Sequence, residues 1–258
     1  MQKSQPKTIL LSGWGAGRGH MEYLAERLGL SNFLAMSIKD LYERGRETSG
    51  IIPSASVYAR GLAACLNECS DPVNVVGWST GGVISIETFS HIPEKCARLV
   101  LLSSTPKFCA DETFPHGTPP AVVRAMMTGV RRNPEKTLAD FISRAGRPLR
   151  LEEEQKQEFA AEAVNQGREI LVHGLKYLQA SDFRTRIKQV QCPCLVIHGR
   201  RDRIIPWQAA QWLDDSLPQC RLLLYPRGGH LLLAQHGNQI VPEIAEFLQF
   251  PGMLNVEC

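Results

Sequence analysis

No stretch of the 258 residues holds about 18 consecutive apolar side chains, so no membrane-spanning helix is expected. Met1 to Lys7 is short and polar and carries no apolar leader core; a cytoplasmic protein is the expectation. An excess of charge of one sign is also missing. Lys and Arg number 29 against 26 Asp and Glu, a net +3, too little to imply a nucleic-acid partner. There is no internal repeat and no low-complexity tract. The eight cysteines, at Cys65, Cys69, Cys96, Cys109, Cys192, Cys194, Cys220 and Cys258, fall mostly inside apolar runs and form no disulfide framework, so reduced thiols are expected. Cys192 and Cys194 lack the second pair that zinc spacing requires, so no metal is expected.

What is present reads as one large domain carrying an insertion. At this length roughly three quarters of the unfolded surface can be buried, so the core needs neither metal nor disulfide. Short apolar, β-branched runs alternate with helical patterns, the signature of a mostly parallel sheet with crossover helices on both faces, an α/β architecture. The strand runs are Thr8 to Ser12, Phe33 to Ile38, Val73 to Trp78, Ala97 to Ser103, Pro193 to His198 and Arg221 to Tyr225. Helical patterns cover Ser54 to Cys69, Thr80 to Ser90, Trp207 to Leu217 and Gln239 to Phe250. From Thr105 to Val190 there is no convincing strand, only helical segments near Pro120–Val130, Pro134–Ala145, Leu151–Asn165 and Arg168–Gln179. The expected organisation is a core of residues 1–104 and 191–258 with a helical cap, 105–190, covering the carboxyl ends of the strands, where ligands bind in such sheets.

The most informative stretch is Val73 to Gly82, where an apolar strand runs into Gly77-Trp78-Ser79-Thr80-Gly81-Gly82 and then into a helical pattern. The G-x-S-x-G spacing alone arises by chance in about one chain in ten of this length; strand before and helix after give it meaning. A serine at the tip of a sharp strand-to-helix turn needs small neighbours on both sides, and the helix start aims free amides at a developing oxyanion. The acid and base should follow in chain order after late strands. Asp202 lies in a glycine-containing loop past the strand Pro193 to His198, whereas Asp214 and Asp215 sit in a helical pattern and Asp182 precedes the strand. His230 follows the last strand in Pro226-Arg227-Gly228-Gly229-His230, 28 positions after Asp202. His236 should enter the last helix, and His198 reads as a hydrogen-bonded core histidine. Ser79, His230 and Asp202 are therefore the candidate nucleophile, base and orienting acid, with no cofactor required. The backbone N–H groups of Thr80 and of Trp14, in Ser12-Gly13-Trp14-Gly15, are the candidate oxyanion donors. From Arg124 to Arg150 seven basic residues (Arg124, Arg131, Arg132, Lys136, Arg144, Arg147 and Arg150) face two acids, Glu135 and Asp140. That local excess of five suits an acidic partner, although charge runs are also commonly a solvated helix face.

With these residues placed, the chain resembles the α/β-hydrolase family and, within it, the BioH-type pimeloyl-acyl carrier protein methyl ester esterases of biotin synthesis. The resemblance covers most of the chain and is carried by Gly13-Trp14-Gly15, the elbow Gly77 to Gly82, Leu101-Leu102-Ser103-Ser104-Thr105-Pro106-Lys107-Phe108, Arg201 to Pro206 and Gly228-Gly229-His230. It implies a serine carboxylesterase acting on an acyl ester delivered by acidic acyl carrier protein; separately, a monomer is expected. Trp14, Trp78, Ser104 and Phe108 would bind substrate, and Arg124, Arg131, Arg132, Arg144, Arg147 and Arg150 would receive the carrier. A broad small-ester hydrolase, a thioesterase or a C–C-bond hydrolase on the same triad is the alternative, and a non-catalytic ligand receptor of the same fold a more distant one. The sequence departs from the family's habit in having Ser12 before Gly13 instead of histidine. It also has Ile38 to Gly45 in place of a Gly-x-Gly-x-Ser loop after the second strand.

Overall fold

The computed structural model describes residues 6–48, 50–149 and 151–249. Six strands form one sheet: β1 (Thr8–Leu11), β2 (Phe33–Met36), β3 (Val73–Trp78), β4 (Cys96–Leu102), β5 (Cys194–Gly199) and β6 (Cys220–Tyr225), in the order β2-β1-β3-β4-β5-β6. Every pairing is parallel. β1 and β3 are buried at every position, which explains their unbroken apolar runs.

Among the described residues ten α-helices accompany the sheet. The core holds α1 (Gly19–Arg27), α2 (Ile38–Glu47), α3 (Val57–Asn67), α4 (Thr80–Phe89), α9 (Gln208–Ser216) and α10 (Leu232–Gln249); α5 (Pro120–Arg132), α6 (Pro134–Ala145), α7 (Glu153–Asn165) and α8 (Arg168–Ala180) lie between β4 and β5. Right-handed crossovers put α1 on one face and α3, α4 and α9 on the other, because the chain steps outward from β1 to β2 and then reverses from β3 onward. Packing agrees, α1 touching α10 and α3 touching α2 and α4. The reversal leaves a crevice beyond the carboxyl ends of β1 and β3, the place such sheets offer a ligand.

Two core helices go beyond the sequence reading. α2 begins at Ile38, so β2 stops at Met36, two residues short of its expected end. Ser37 forms a reciprocal cap with Asp40, its Oγ accepting from the Asp40 amide while Asp40 accepts from the Ser37 amide, and Ile38, Leu41 and Gly45 face inward. The glycine is required: a Cβ on Gly45 would stand 1.7 Å from the Val57 carbonyl oxygen of α3. α1 has no side-chain cap and so left little local mark. α10 starts at Leu232 rather than Gln239 and breaks at His236, whose φ and ψ of −136° and 21° are not helical. The expected helix end at Phe250 lies outside the described residues.

Among the described residues the segment between β4 and β5 holds four α-helices and only isolated bridges: Lys107 with Asp182, Cys109 with Thr118 and Asp111 with Phe114. Its two connections to the core run side by side. The Phe183 amide donates to the Pro106 carbonyl at 3.0 Å, Lys107 Nζ meets Asp182 at 2.8 Å and Arg184 grips the same carboxylate at 2.7 Å. α8 is tied down further by Trp14 Nε1 donating to Leu171 O at 2.8 Å. The buried Glu87 carboxylate on α4 binds α8 as well, accepting from Tyr177 OH at 2.8 Å, and also accepts from the amide and hydroxyl of Ser56 before α3, each at 2.7 Å.

Candidate active site

Ser79 follows β3 directly and precedes α4 with φ 52° and ψ −117°, a conformation an L-residue adopts at a cost of about 1–3 kcal/mol. The glycines on either side make the turn possible. A Cβ at Gly77 would stand 2.6 Å from Gly82 Cα, and one at Gly81 would stand 2.5 Å from the Leu11 carbonyl oxygen. Ser104 Oγ donates to the Ser79 carbonyl at 2.9 Å and the Ser79 amide donates to Leu102 O at 2.8 Å, holding the bend against β4.

His230 Nε2 lies 3.0 Å from Ser79 Oγ, and His230 Nδ1 lies 2.8 Å from Asp202 Oδ2. An ionised carboxylate only accepts, so Nδ1 carries the proton and the lone pair of Nε2 faces the serine hydroxyl. The Asp202 side chain is fully buried. Its other oxygen accepts from the amides of Ile204 at 2.7 Å and Ile205 at 2.9 Å. Burial pushes its pKa up, but the charge of His230 and hydrogen bonds from His198 and His230 outweigh burial and hold it well below the usual carboxylate range. His198 Nε2 stands 2.9 Å from Ile205 O and 3.3 Å from Asp202 Oδ2. The core histidine thus touches the acid, a role its position at a strand end did not reveal.

The rival groups lie elsewhere. Asp214 is in α9, where burial raises its pKa. His236 meets Gln239, and Asp182 belongs to the clasp with Lys107 and Arg184.

The loop after β1 runs directly against the serine. A Cβ on Gly13 would come within 3.1 Å of Ser79 Cβ and 3.6 Å of its Oγ. Ser12 Oγ closes the loop by donating to Ala16 O at 2.8 Å, so the non-histidine residue has a local task. Gly13, Trp14, Trp78, Ser79 and His230 line one cavity, which α6 covers with Leu138, Phe141, Ile142 and Ala145. These four recur at i, i+3, i+4 and i+7, a helical stripe legible in the sequence. Of the expected substrate contacts, Trp14 and Trp78 line this cavity. Ser104 and Phe108 do not: the first is turned to the Ser79 backbone, the second is packed into the core.

The described arginines expected to receive the carrier are exposed but do not form one patch. Arg131 and Arg132 end α5, whereas Arg144 and Arg147 stand at the far end of α6, whose 12 residues span about 18 Å. Arg124 is exposed midway along α5, and Arg150 lies outside the described residues. Among the described residues no group of three or more His, Cys, Asp or Glu could hold a metal ion. No helix there is long and apolar enough to cross a membrane.

A parallel sheet with Ser79 on a strained elbow, facing a histidine that an acid orients, defines an α/β-hydrolase. The chain belongs to the alpha/beta hydrolase fold family, whose profile matches residues 70–237. It is 30% identical over 247 residues to the pimeloyl-[acyl-carrier protein] methyl ester esterase of Chromobacterium violaceum, covering 95% of this chain and 94% of that one. The enzyme of the same name from Nitrosomonas europaea is 30% identical over 259 residues, with 98% and 94% covered. Among solved structures, an esterase from Exiguobacterium antarcticum superposes with a TM-score of 0.82 at 17% identity, covering 96% of this chain and 93% of that one. A bromoperoxidase from Bacillus anthracis superposes with 0.81 at 19% identity, covering 95% and 92%. At such identities these structures speak for the fold alone.

Proposed function

We propose that this chain is a serine carboxylesterase that hydrolyses the methyl ester of pimeloyl-acyl carrier protein. The observation that carries the reading is the unbroken relay from Ser79 Oγ through His230 to Asp202, at 3.0 and 2.8 Å. The substrate follows from the two relatives at 30% identity over nearly the whole chain.

Ser79 Oγ attacks the ester carbonyl as His230 Nε2 takes its proton, and Asp202 stabilises the imidazolium without becoming protonated. The negative oxygen of the tetrahedral intermediate turns to the amides of Thr80, at the start of α4, and Trp14. A donor pair of this kind is worth about 3–4 kcal/mol per donor in a site closed to water. His230 then protonates the departing methoxide, and a water activated by the same nitrogen releases the free acid. Residues 105–190 act as the cap over this chemistry, and the chain works as a monomer. The acidic carrier docks on exposed cap arginines, and the two clusters at either end of α6 offer two alternative footholds.

Incubation with pimeloyl-acyl carrier protein methyl ester should yield methanol and the free carboxylate, with kcat/KM well above that for short free esters. Equal or better turnover of the short esters would favour a broad esterase on the same triad.

A further inference from the structure

His230 reaches Ser79 from a loop, and the two glycines before it leave that stretch of chain free to move unless its surroundings hold it. Trp78 Nε1 holds one side, donating to the His230 carbonyl at 3.3 Å. The other side is held from α6. The Gly229 amide donates to Gln235 Oε1 at 2.6 Å, and Gln235 Nε2 donates to the Gly146 carbonyl at 2.7 Å. Gly146 closes the C-terminal end of α6, where helix carbonyls have no partner within the helix. The two backbones also touch directly, since a Cβ on Gly229 would stand 1.8 Å from the Arg147 carbonyl oxygen. Gln235 is 89 positions from Gly146 and ends the first turn of α10, just before the break at His236. Its side-chain amide suits both partners. At that length an ionised glutamate would only accept, and a methionine would offer no N–H.

We propose that Gln235 is a positioning residue that registers the His230 loop on the end of α6, so that the relay is aligned only while α6 lies over Ser79. The assignment rests on the esterase reading and deepens it. Ile142 and Ala145, in the last turn of α6, line the cavity that Ser79 and His230 also line; Gly146 and Arg147 follow them directly. If this end of α6 lifts, water enters beside Ser79. The same movement takes the Gly146 carbonyl from Gln235 and the Arg147 carbonyl from Gly229. The histidine loop then keeps Trp78 but loses its opposite support, and a shift of about 1 Å in the imidazole costs on the order of 100-fold in rate. An open site is thus idle, and the serine is activated only where water is shut out.

Gln235→Met and Gln235→Glu, compared with wild type on one small activated ester, test this. The glutamate keeps an acceptor for the Gly229 amide and loses the donor for Gly146, so it separates support of the loop from registration on α6. Both variants should lose about tenfold or more in kcat with KM within about threefold. Wild-type turnover by Gln235→Glu would overturn the link to α6, and wild-type turnover by both would remove Gln235 from the alignment altogether. A raised KM with kcat unchanged would also overturn the proposal, since it would place Gln235 in binding. Amide hydrogen exchange on the wild-type protein gives a second reading, independent of catalysis and of whether the variants fold. The Gly229 and Gly146 amides should open as one cooperative unit, with protection matched to within about threefold; a larger difference would overturn the registration. Matched protection in a wild type that cleaves no ester would defeat the esterase reading itself, whereas ester cleavage with unmatched protection would defeat only the registration.

Discussion

Ser79 sits where the backbone is least comfortable, and its replacement separates chemistry from folding. Ser79→Ala keeps the turn, since Gly77 and Gly81 provide the space, and should leave a folded protein whose esterase kcat is down by on the order of 10⁴- to 10⁶-fold. His230→Ala and Asp202→Asn should each cost several orders of magnitude, while His236→Ala and Asp214→Asn should stay within a few-fold of wild type. Steady-state rates on one activated ester, with circular dichroism to confirm folding, decide between them; a crippled His236→Ala beside a mild His230→Ala would reassign the base. At this scale much of the site was legible, because loop position after late strands selected among rival acids and bases. His198 was not. Its contact with Asp202 depends on how the 202–205 turn folds back over the end of β5, and no local pattern encodes that turn.

Elements show a similar division. β3, α4 and helices α5 to α8 carried strong periodic or motif signals, whereas α1 has no side-chain cap and α2 spends its signal on Ser37 and Asp40, a Ser-x-x-Asp pair easily taken for a strand's end. The early stop of β2 and the start of α2 are one event, the strand giving way where the cap begins. The helical stripe of α6 announced a buried face, but not that the face would close over Ser79. The clasp of Lys107 with Asp182 is likewise invisible in sequence, because the two are 75 positions apart. Hydrogen bonds from Arg184, with Lys107 assisting, hold the Asp182 carboxyl at about 2, against an unfolded value near ~3.9. A depressed pKa stabilises the fold above the unfolded value and ceases to do so as pH falls through the folded one. Urea titrations should thus find Asp182→Asn less stable than wild type by about 1 kcal/mol or less, the partly exposed pair being screened. That gap should be constant above about pH 4 and closed near pH 2; a gap that persists unchanged to pH 2 would remove the carboxylate from the clasp.

Across the whole molecule, charge is arranged by end of helix more than by domain. Arg131 with Arg132 and Arg144 with Arg147 are about 18 Å apart along α6, beyond the roughly 8 Å screening length at physiological salt, so they act as independent sites. Neutralising one pair should raise KM for carrier-linked ester several-fold and barely change turnover of a small free ester, and neutralising the other should do little. Added salt should weaken the carrier-linked reaction alone. Loss on both substrates would indicate a damaged pocket, and no loss from either pair would leave these arginines as solvated surface. The clasp has a different consequence, for the order in which the chain acquires its structure. Leu99 pairs with Cys194 across the whole cap, a closure of some 95 residues whose entropy must be met before β4 and β5 can join. If Pro106 and Phe183 meet first, the loop left to close shrinks about fivefold, lowering that cost by roughly 1.4 kcal/mol, about tenfold in rate. Helices α5 to α8, rich in local contacts, would then assemble early and deliver β5 to the sheet. A clasp variant destabilised by more than about 0.6 kcal/mol, Lys107→Ala with Asp182→Ala, should accordingly slow refolding far more than it speeds unfolding.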